Sequence, residues 1–218
     1  MRLLLVRHGQ TPANVHGILE TAAPGPGLTE LGQEQADALP GRLADRHIEG
    51  IWVSNLIRTS LTAAPLAAAL DLVPTELDGL REIEAGDLEG KRDKTSVQLY
   101  LATCAAWIRG DRDASMPGAP DGTAFFARYD DAIARVAASG AEVAAVFSHG
   151  AAIRIWAGTS ARNVPTDFAT RRPLENTGVV ELEGTPEDGW MLVDWEGEPL
   201  GGDGLIDRTA QDPTGERF

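Results

Sequence analysis

Two histidines in this chain are each followed by glycine and each stand at the end of an apolar run: Arg7-His8-Gly9 after LLLV, and Ser148-His149-Gly150 after VAAVF. A buried strand ordinarily gives way to a turn, not to a guanidinium and an imidazole, which are expensive to desolvate. A third such place follows the short apolar run GIWV, where SNLIR brings in Arg58. Two imidazoles and two guanidiniums beside glycine-flanked backbone suit a tetrahedral dianion, because guanidinium forks grip several oxygens of one phosphate group. Gly150 is counted among the phosphate-contacting positions for the same reason. The residue types therefore ask for phosphate chemistry, provided the fold brings the three segments together.

The elements around them alternate strand and helix, the pattern of an α/β domain: a three-layer sandwich with a mainly parallel central sheet flanked by helices. Strands are expected at 2–6, 50–53, 73–77 and 142–147, with two closing strands at 178–182 and 190–195. Helices are expected from Thr29 to Leu43, with Pro40 and Gly41 as a kink or break, and at 57–70, 94–108, 123–138 and 151–157. Ligands of open α/β sheets bind outside the carboxyl ends of the strands, so all three segments should converge on one crevice. Residues 1–195 read as one domain. Within it, 91–122 is a substrate-covering insertion ending in the turn formers GDRDASMPGAPDG. Residues 196–218 form a polar, Gly/Asp-rich tail expected to be poorly ordered.

The chain has 218 residues and a net charge of -14, which excludes nucleic acid as a natural partner, since the phosphate backbone rewards Lys and Arg. An anionic ligand must be held by a local basic cluster in so acidic a protein. No apolar run approaches the ~18 residues that a membrane span needs, so no membrane partner is expected, and Leu3–Val6 is too short for the core of a signal peptide. The single cysteine, Cys104, lies in an Ala-rich helical stretch and reads as a small core residue. A soluble protein of the reducing cytoplasm is expected. The spacings of a zinc site and the patterns of a metal-binding loop do not occur, so neither a metal nor a cofactor is expected.

The residues carry a resemblance. The chain resembles the histidine phosphatase superfamily, the branch that includes cofactor-dependent phosphoglycerate mutases and many phosphatases. The similarity runs through LLLVRHGQTPAN (3–14), GLTELGQEQA (27–36), VSNLIRTSLTA (53–63), LREIEAGDLEG (80–90), FSHGAAIR (147–154) and ENTGVVELE (175–183), six segments in the family's order. The resemblance implies that His8 attacks phosphorus and becomes phosphohistidine, that Arg7, Arg58 and His149 hold the phosphoryl oxygens, and that Glu82 protonates the leaving oxygen. Asn14, Gln10 and Thr11 match neighbouring positions from which the family contacts phosphate. His16 and His47 lack this context and are expected at the surface.

The physics fits that division. A neutral imidazole has a lone pair, and a hydrogen bond from its other nitrogen to a backbone carbonyl would fix the attacking tautomer. Guanidiniums stabilise the equatorial oxygens, which is most of what phosphoryl transfer asks of a protein. The implied activity is a metal-independent phosphomonoesterase acting on a small phosphorylated metabolite. Two alternatives are a cofactor-dependent phosphoglycerate mutase and a non-catalytic phospholigand-binding protein. The chain departs from common family patterns at Leu61, at Leu88 and at Gly122-Thr123-Ala124. Where the mutases carry Arg-His-Tyr-Gly after the glutamate, Ile83-Glu84-Ala85-Gly86 stands here, which argues against the mutase.

Overall fold

Leu3, Leu4, Leu5 and Val6 are all buried because the strand that holds them, β1 (Arg2–Arg7), is covered on both faces. The structure is a computed structural model and describes residues 1–215. In it β1 lies inside a six-stranded sheet with β2 (Gly50–Val53), β3 (Thr75–Glu76), β4 (Val143–Ser148), β5 (Val179–Thr185) and β6 (Gly189–Glu196), in the order β3-β2-β4-β1-β5-β6. The β3–β2, β2–β4 and β4–β1 pairings are parallel, and β5 and β6 add an antiparallel edge. This is the expected three-layer α/β sandwich with a mainly parallel sheet.

Side chains alternate between the faces with period two. Leu3, Leu5, Ala144, Val146 and Trp52 join one core with Trp107, Phe125, Tyr129 and Trp156. Leu4, Val6, Ala145, Phe147, Ile51 and Val53 join the other with Leu39, Leu43, Ala63 and Leu66. The helices that supply the first core are α4 (Lys94–Ile108), α5 (Gly122–Ala137) and α6 (Gly150–Ser160); those that supply the second are α2 (Glu30–Leu43) and α3 (Ile57–Leu70). Each large aliphatic side chain so buried stabilises the fold by about 1.5–3 kcal/mol. Cys104 is fully buried in the first core, as expected of a packing residue.

Three elements differ from the sequence reading. α2 runs through Pro40 without a break, because proline removes only its own N–H, and its carbonyl still accepts from Ala44 N–H. The strand expected over 73–77 is reduced to Thr75–Glu76 at the sheet edge, behind Pro74. A five-residue helix, α1 (Pro12–His16), was not expected; Thr11 and Asn14 form its capping box, and Gly17 closes it at φ 66°, a conformation that suits glycine.

The segment 91–122 is tied into the molecule: α4 buries Tyr100, Cys104 and Trp107 in the core, and Tyr100 donates to the Ile83 carbonyl at 3.1 Å. The part of the C-terminal segment that is described does not stand apart from the domain. Leu174 N–H donates to the Gly215 carbonyl and Gln35 Nε2 to the Leu205 carbonyl. Its last three residues, 216–218, lie outside the described residues.

Candidate active site

Strand register brings the chemistry to one level. Arg7 of β1 lies opposite Ser148 of β4, and Phe147 of β4 lies opposite Val53 of β2. The residue that follows each strand, His8, His149 or Ser54, therefore emerges at the same carboxyl edge. The His8 and His149 rings sit 5.2 Å apart, centroid to centroid.

His8 Nδ1 lies 2.8 Å from the Gly9 carbonyl oxygen. A carbonyl can only accept, so the proton sits on Nδ1 and Nε2 keeps its lone pair. Burial pushes the His8 pKa well below the ordinary histidine value, and the Arg58 and Arg7 guanidiniums push it further the same way. The surrounding loop is held from three sides: Gly9 N–H donates to Thr62 Oγ1 at 2.8 Å, Gln10 N–H to Gln35 Oε1 at 2.8 Å, and Asn176 Nδ2 to the His8 carbonyl at 3.0 Å.

His149 Nε2 lies 2.8 Å from Ser54 Oγ, while its Nδ1 is buried without a partner among the described residues. Burial, then Arg58, lowers its pKa well below the ordinary value too. Arg58 sits in the first turn of α3, its Nη2 donating to the Glu20 carbonyl at 3.1 Å. Burial lowers its pKa to about 10, so it remains a cation at neutral pH. Arg7 is fully buried, with Nη1 on the Leu174 carbonyl at 2.7 Å and Nη2 paired with Asp212. The Nε atoms of Arg7 and Arg58, like His149 Nδ1, are buried and unpartnered among the described residues. Buried polar nitrogens without partners are rare, and a cluster of them that includes two guanidinium N–H donors at one sheet edge suits an anion.

Glu82 is buried at the same edge. Its carboxylate accepts from the backbone N–H groups of Ile83 (2.9 Å), Ala152 (2.8 Å) and Ala151 (3.2 Å), the last two in the first turn of α6. Burial raises its pKa above the ordinary carboxylate value; those N–H groups and Arg58 oppose the rise. Arg128 fixes the backbone here, donating to the carbonyls of Gly79 (2.7 Å), Arg81 (2.9 Å) and Glu82 (2.7 Å). Gly150 opens α6, and a Cβ on it would lie 2.9 Å from Arg7 Nε and 2.7 Å from the Thr214 carbonyl oxygen. Only glycine allows that approach.

The remaining expected contacts divide. Asn14 donates through Nδ2 to Asp212 at 3.1 Å, while its Oδ1 accepts from Thr11 N–H. The Thr11 hydroxyl is engaged in the α1 cap. The Gln10 side chain spans from Thr29 Oγ1 (2.9 Å) to Asp207 (2.9 Å). His16 and His47 are exposed. Sequence reasoning did not single out Ser54, Arg128 or Asp212. Ser54 directly follows a strand at the carboxyl edge, and that placement was its signal; Asp212 had none.

The model of the histidine phosphatase superfamily (branch 1) matches residues 3–197. The chain belongs to this superfamily. It is 40% identical over 212 residues to the PE-PGRS family protein PE_PGRS11 of Mycobacterium tuberculosis, a match covering 90% of this chain and 36% of that protein. It is 39% identical over 111 residues to the adenosylcobalamin/alpha-ribazole phosphatase of Salmonella typhimurium, covering 49% of this chain and 54% of that one. The matches thus span about a third to a half of the length of these relatives. Among solved structures, a mycobacterial glucosyl-3-phosphoglycerate phosphatase in complex with VO3 superposes with a TM-score of 0.75 at 25% identity, over 90% of this chain and 99% of that one. In this superfamily member, then, the fold and the buried His–Arg–Glu cluster occur together.

Proposed function

We propose that the protein is a metal-independent phosphomonoesterase that works through a phosphohistidine on His8 and acts on a small phosphorylated metabolite. The observation that carries this reading is the His8 imidazole, its Nδ1 proton tied to the Gly9 carbonyl, standing beside three unpartnered buried nitrogens of Arg7, Arg58 and His149.

The steps follow from the groups present. His8 Nε2 attacks phosphorus, an N–P bond forms, and the ester P–O bond breaks. Arg7, Arg58 and His149 bind the three phosphoryl oxygens, with Asn14 and the backbone at Gly150 beside them. Glu82, whose burial favours the protonated carboxyl, gives its proton to the leaving oxygen. As a carboxylate it then takes a proton from the water that attacks the phosphohistidine, which releases inorganic phosphate and restores neutral His8. Gln10 and Thr11 support this site through the loop they hold.

The names of the relatives support a small phosphorylated substrate. The backbone of Leu19 pairs with Gly90 and Lys91 at 2.7 and 2.9 Å, one residue from the Glu20 carbonyl that receives Arg58. The start of the segment 91–122 is thereby held beside the loop that receives Arg58, and its Lys91, Arg92 and Lys94 are exposed, which supports reading it as the segment that covers the substrate. Against the mutase alternative, the residues after Glu82 are Ile83 and Glu84, and Glu84 is engaged by Arg81 and Arg128. Among the described residues no helix is long and apolar enough to cross a membrane, and the single cysteine of the chain, which can form no internal disulfide, fits the reducing cytoplasm that we propose as its setting.

The test is phosphate release from a panel of phosphorylated metabolites, with phosphoglycerate isomerisation assayed alongside. Release of phosphate without isomerisation is expected. Isomerisation that depends on a bisphosphorylated primer would favour the mutase, and binding without turnover of any ester would favour a phospholigand-binding protein.

A further inference from the structure

The Asp212 carboxylate sits on two groups assigned to the phosphate. One oxygen pairs with Arg7 Nη2; the other accepts from Asn14 Nδ2 at 3.1 Å and from Thr214 Oγ1 at 3.1 Å. A carboxylate presents two oxygens in a plane, much as two oxygens of a phosphoryl group would be presented to a guanidinium and an amide. A short aspartate stem reaches no further: among the described residues Arg7 Nε, Arg58 Nε and His149 Nδ1 have no partner with Asp212 in place. A phosphoryl group has a third oxygen and more charge with which to engage them.

The segment that carries Asp212 is held mainly by polar contacts. Gln10 Nε2 donates to Asp207 at 2.9 Å, Gln35 Nε2 to the Leu205 carbonyl at 2.8 Å, Arg154 Nη1 to the Thr214 carbonyl at 3.2 Å, and Leu174 N–H to the Gly215 carbonyl at 3.0 Å. Leu205 and Ile206 are half-buried, Asp203, Gly204, Arg208 and Thr209 are exposed, and Asp212, Pro213 and Gly215 are buried where the segment meets Arg7. Each of these polar contacts can be replaced by water on opening, and exposed Gly201 and Gly202 lie where the segment begins.

We propose that Asp212 determines substrate and product affinity as a built-in competitor: the segment 203–215 straps its carboxylate onto Arg7 and Asn14, and a phosphoryl group must displace it to bind. The same carboxylate returns to those donors as inorganic phosphate leaves. The inference rests on reading Arg7 and Asn14 as phosphate contacts.

Calorimetric titration of the full chain with inorganic phosphate tests it without turnover. A ligand whose competent state is populated only in part binds more weakly by that fraction. Asp212→Asn keeps the shape and removes the competing charge, and should tighten phosphate binding by ~10-fold or more. Asp207→Ala, which loosens the strap at Gln10 without touching Arg7, should shift affinity the same way by less, and it decides alone if the first variant does not fold. Unchanged or weaker binding in the deciding variant overturns the proposal; weaker binding would show that Asp212 merely orients Arg7. Tighter binding in a chain that hydrolyses no ester would keep the strap and remove the phosphatase reading. Hydrolysis with unaltered phosphate affinity would do the reverse.

Discussion

Ser54 Oγ and His149 Nε2 meet at 2.8 Å, at the adjoining carboxyl ends of β2 and β4. Ser54 Oγ also accepts from Leu56 N–H at 3.2 Å, so the hydroxyl is fixed by the turn that starts α3. When that hydroxyl donates to Nε2, the imidazole proton is on Nδ1, the nitrogen that has no partner among the described residues. Ser54→Ala leaves Nε2 buried without its partner, a loss of about 1–3 kcal/mol, and frees the other tautomer. The rate of His8 phosphorylation should fall roughly 10- to 100-fold, and Ser54→Thr should recover part of it. Equal single-turnover rates in Ser54→Ala and the parent protein would show that His149 needs no such orientation.

His8→Ala removes the proposed strand-end nucleophile rather than core packing, so turnover should vanish while the far-UV circular dichroism stays native. Brief incubation of the parent protein with a phosphorylated substrate, followed by alkaline quench, should trap acid-labile phosphate on His8. Label recovered on serine or aspartate would contradict the phosphohistidine.

Acid should weaken the fold through the same histidines. Burial and the neighbouring arginines hold the pKa values of His8 and His149 well below the ordinary value. Below about pH 6.5 the unfolded chain takes up protons on both while the folded protein does not, so stability falls as pH falls, until the folded-state values are reached. Each histidine contributes a slope that starts at about half of 1.4 kcal/mol per pH unit at pH 6.5 and approaches about 1.4 below it. Urea denaturation at pH 6.5 and 5.5 should show His149→Gln losing about 1 kcal/mol less than the parent protein over that unit. Matching losses would mean that His149 is already protonated when folded.

Much of this site was legible before the fold. The unalternating LLLV and VAAVF runs are those of strands buried on both faces, and their polar ends are the places where His8 and His149 emerge. Helices 57–70 and 94–108 begin and end where their apolar spacing does. α1 escaped notice because five residues are too few for a period to show. Thr11 and Asn14 carry a cap signal that was read only as phosphate contact. Asp212 was out of reach for a different reason: its partner Arg7 is 205 residues away, and no local pattern encodes a contact made only when the chain returns across the finished sheet.

Glu82 is the assignment that drew most on resemblance, and a leaving-group comparison tests it on chemistry. Three backbone N–H groups and Arg128 hold it in place, and burial favours its proton. A proton donor matters in proportion to how poorly the leaving oxygen departs alone: an alkyl alkoxide needs help and a nitrophenolate does not. Glu82→Gln keeps the size and can keep the bonds from Ile83 and Ala152 to one oxygen, but it cannot donate a proton of comparable acidity. Phosphorylation of His8 by alkyl esters should slow by ~10²–10⁴-fold, and by a nitrophenyl ester much less. Because the proposed mechanism also assigns this carboxylate to the water in the second step, the comparison belongs in the single-turnover burst, before hydrolysis of a phosphohistidine contributes. Equal losses for both esters would reject Glu82 as the acid. Glu84 would then be tested next, although its pairing with Arg81 and Arg128 holds its pKa below the ordinary value and makes it a poor proton donor.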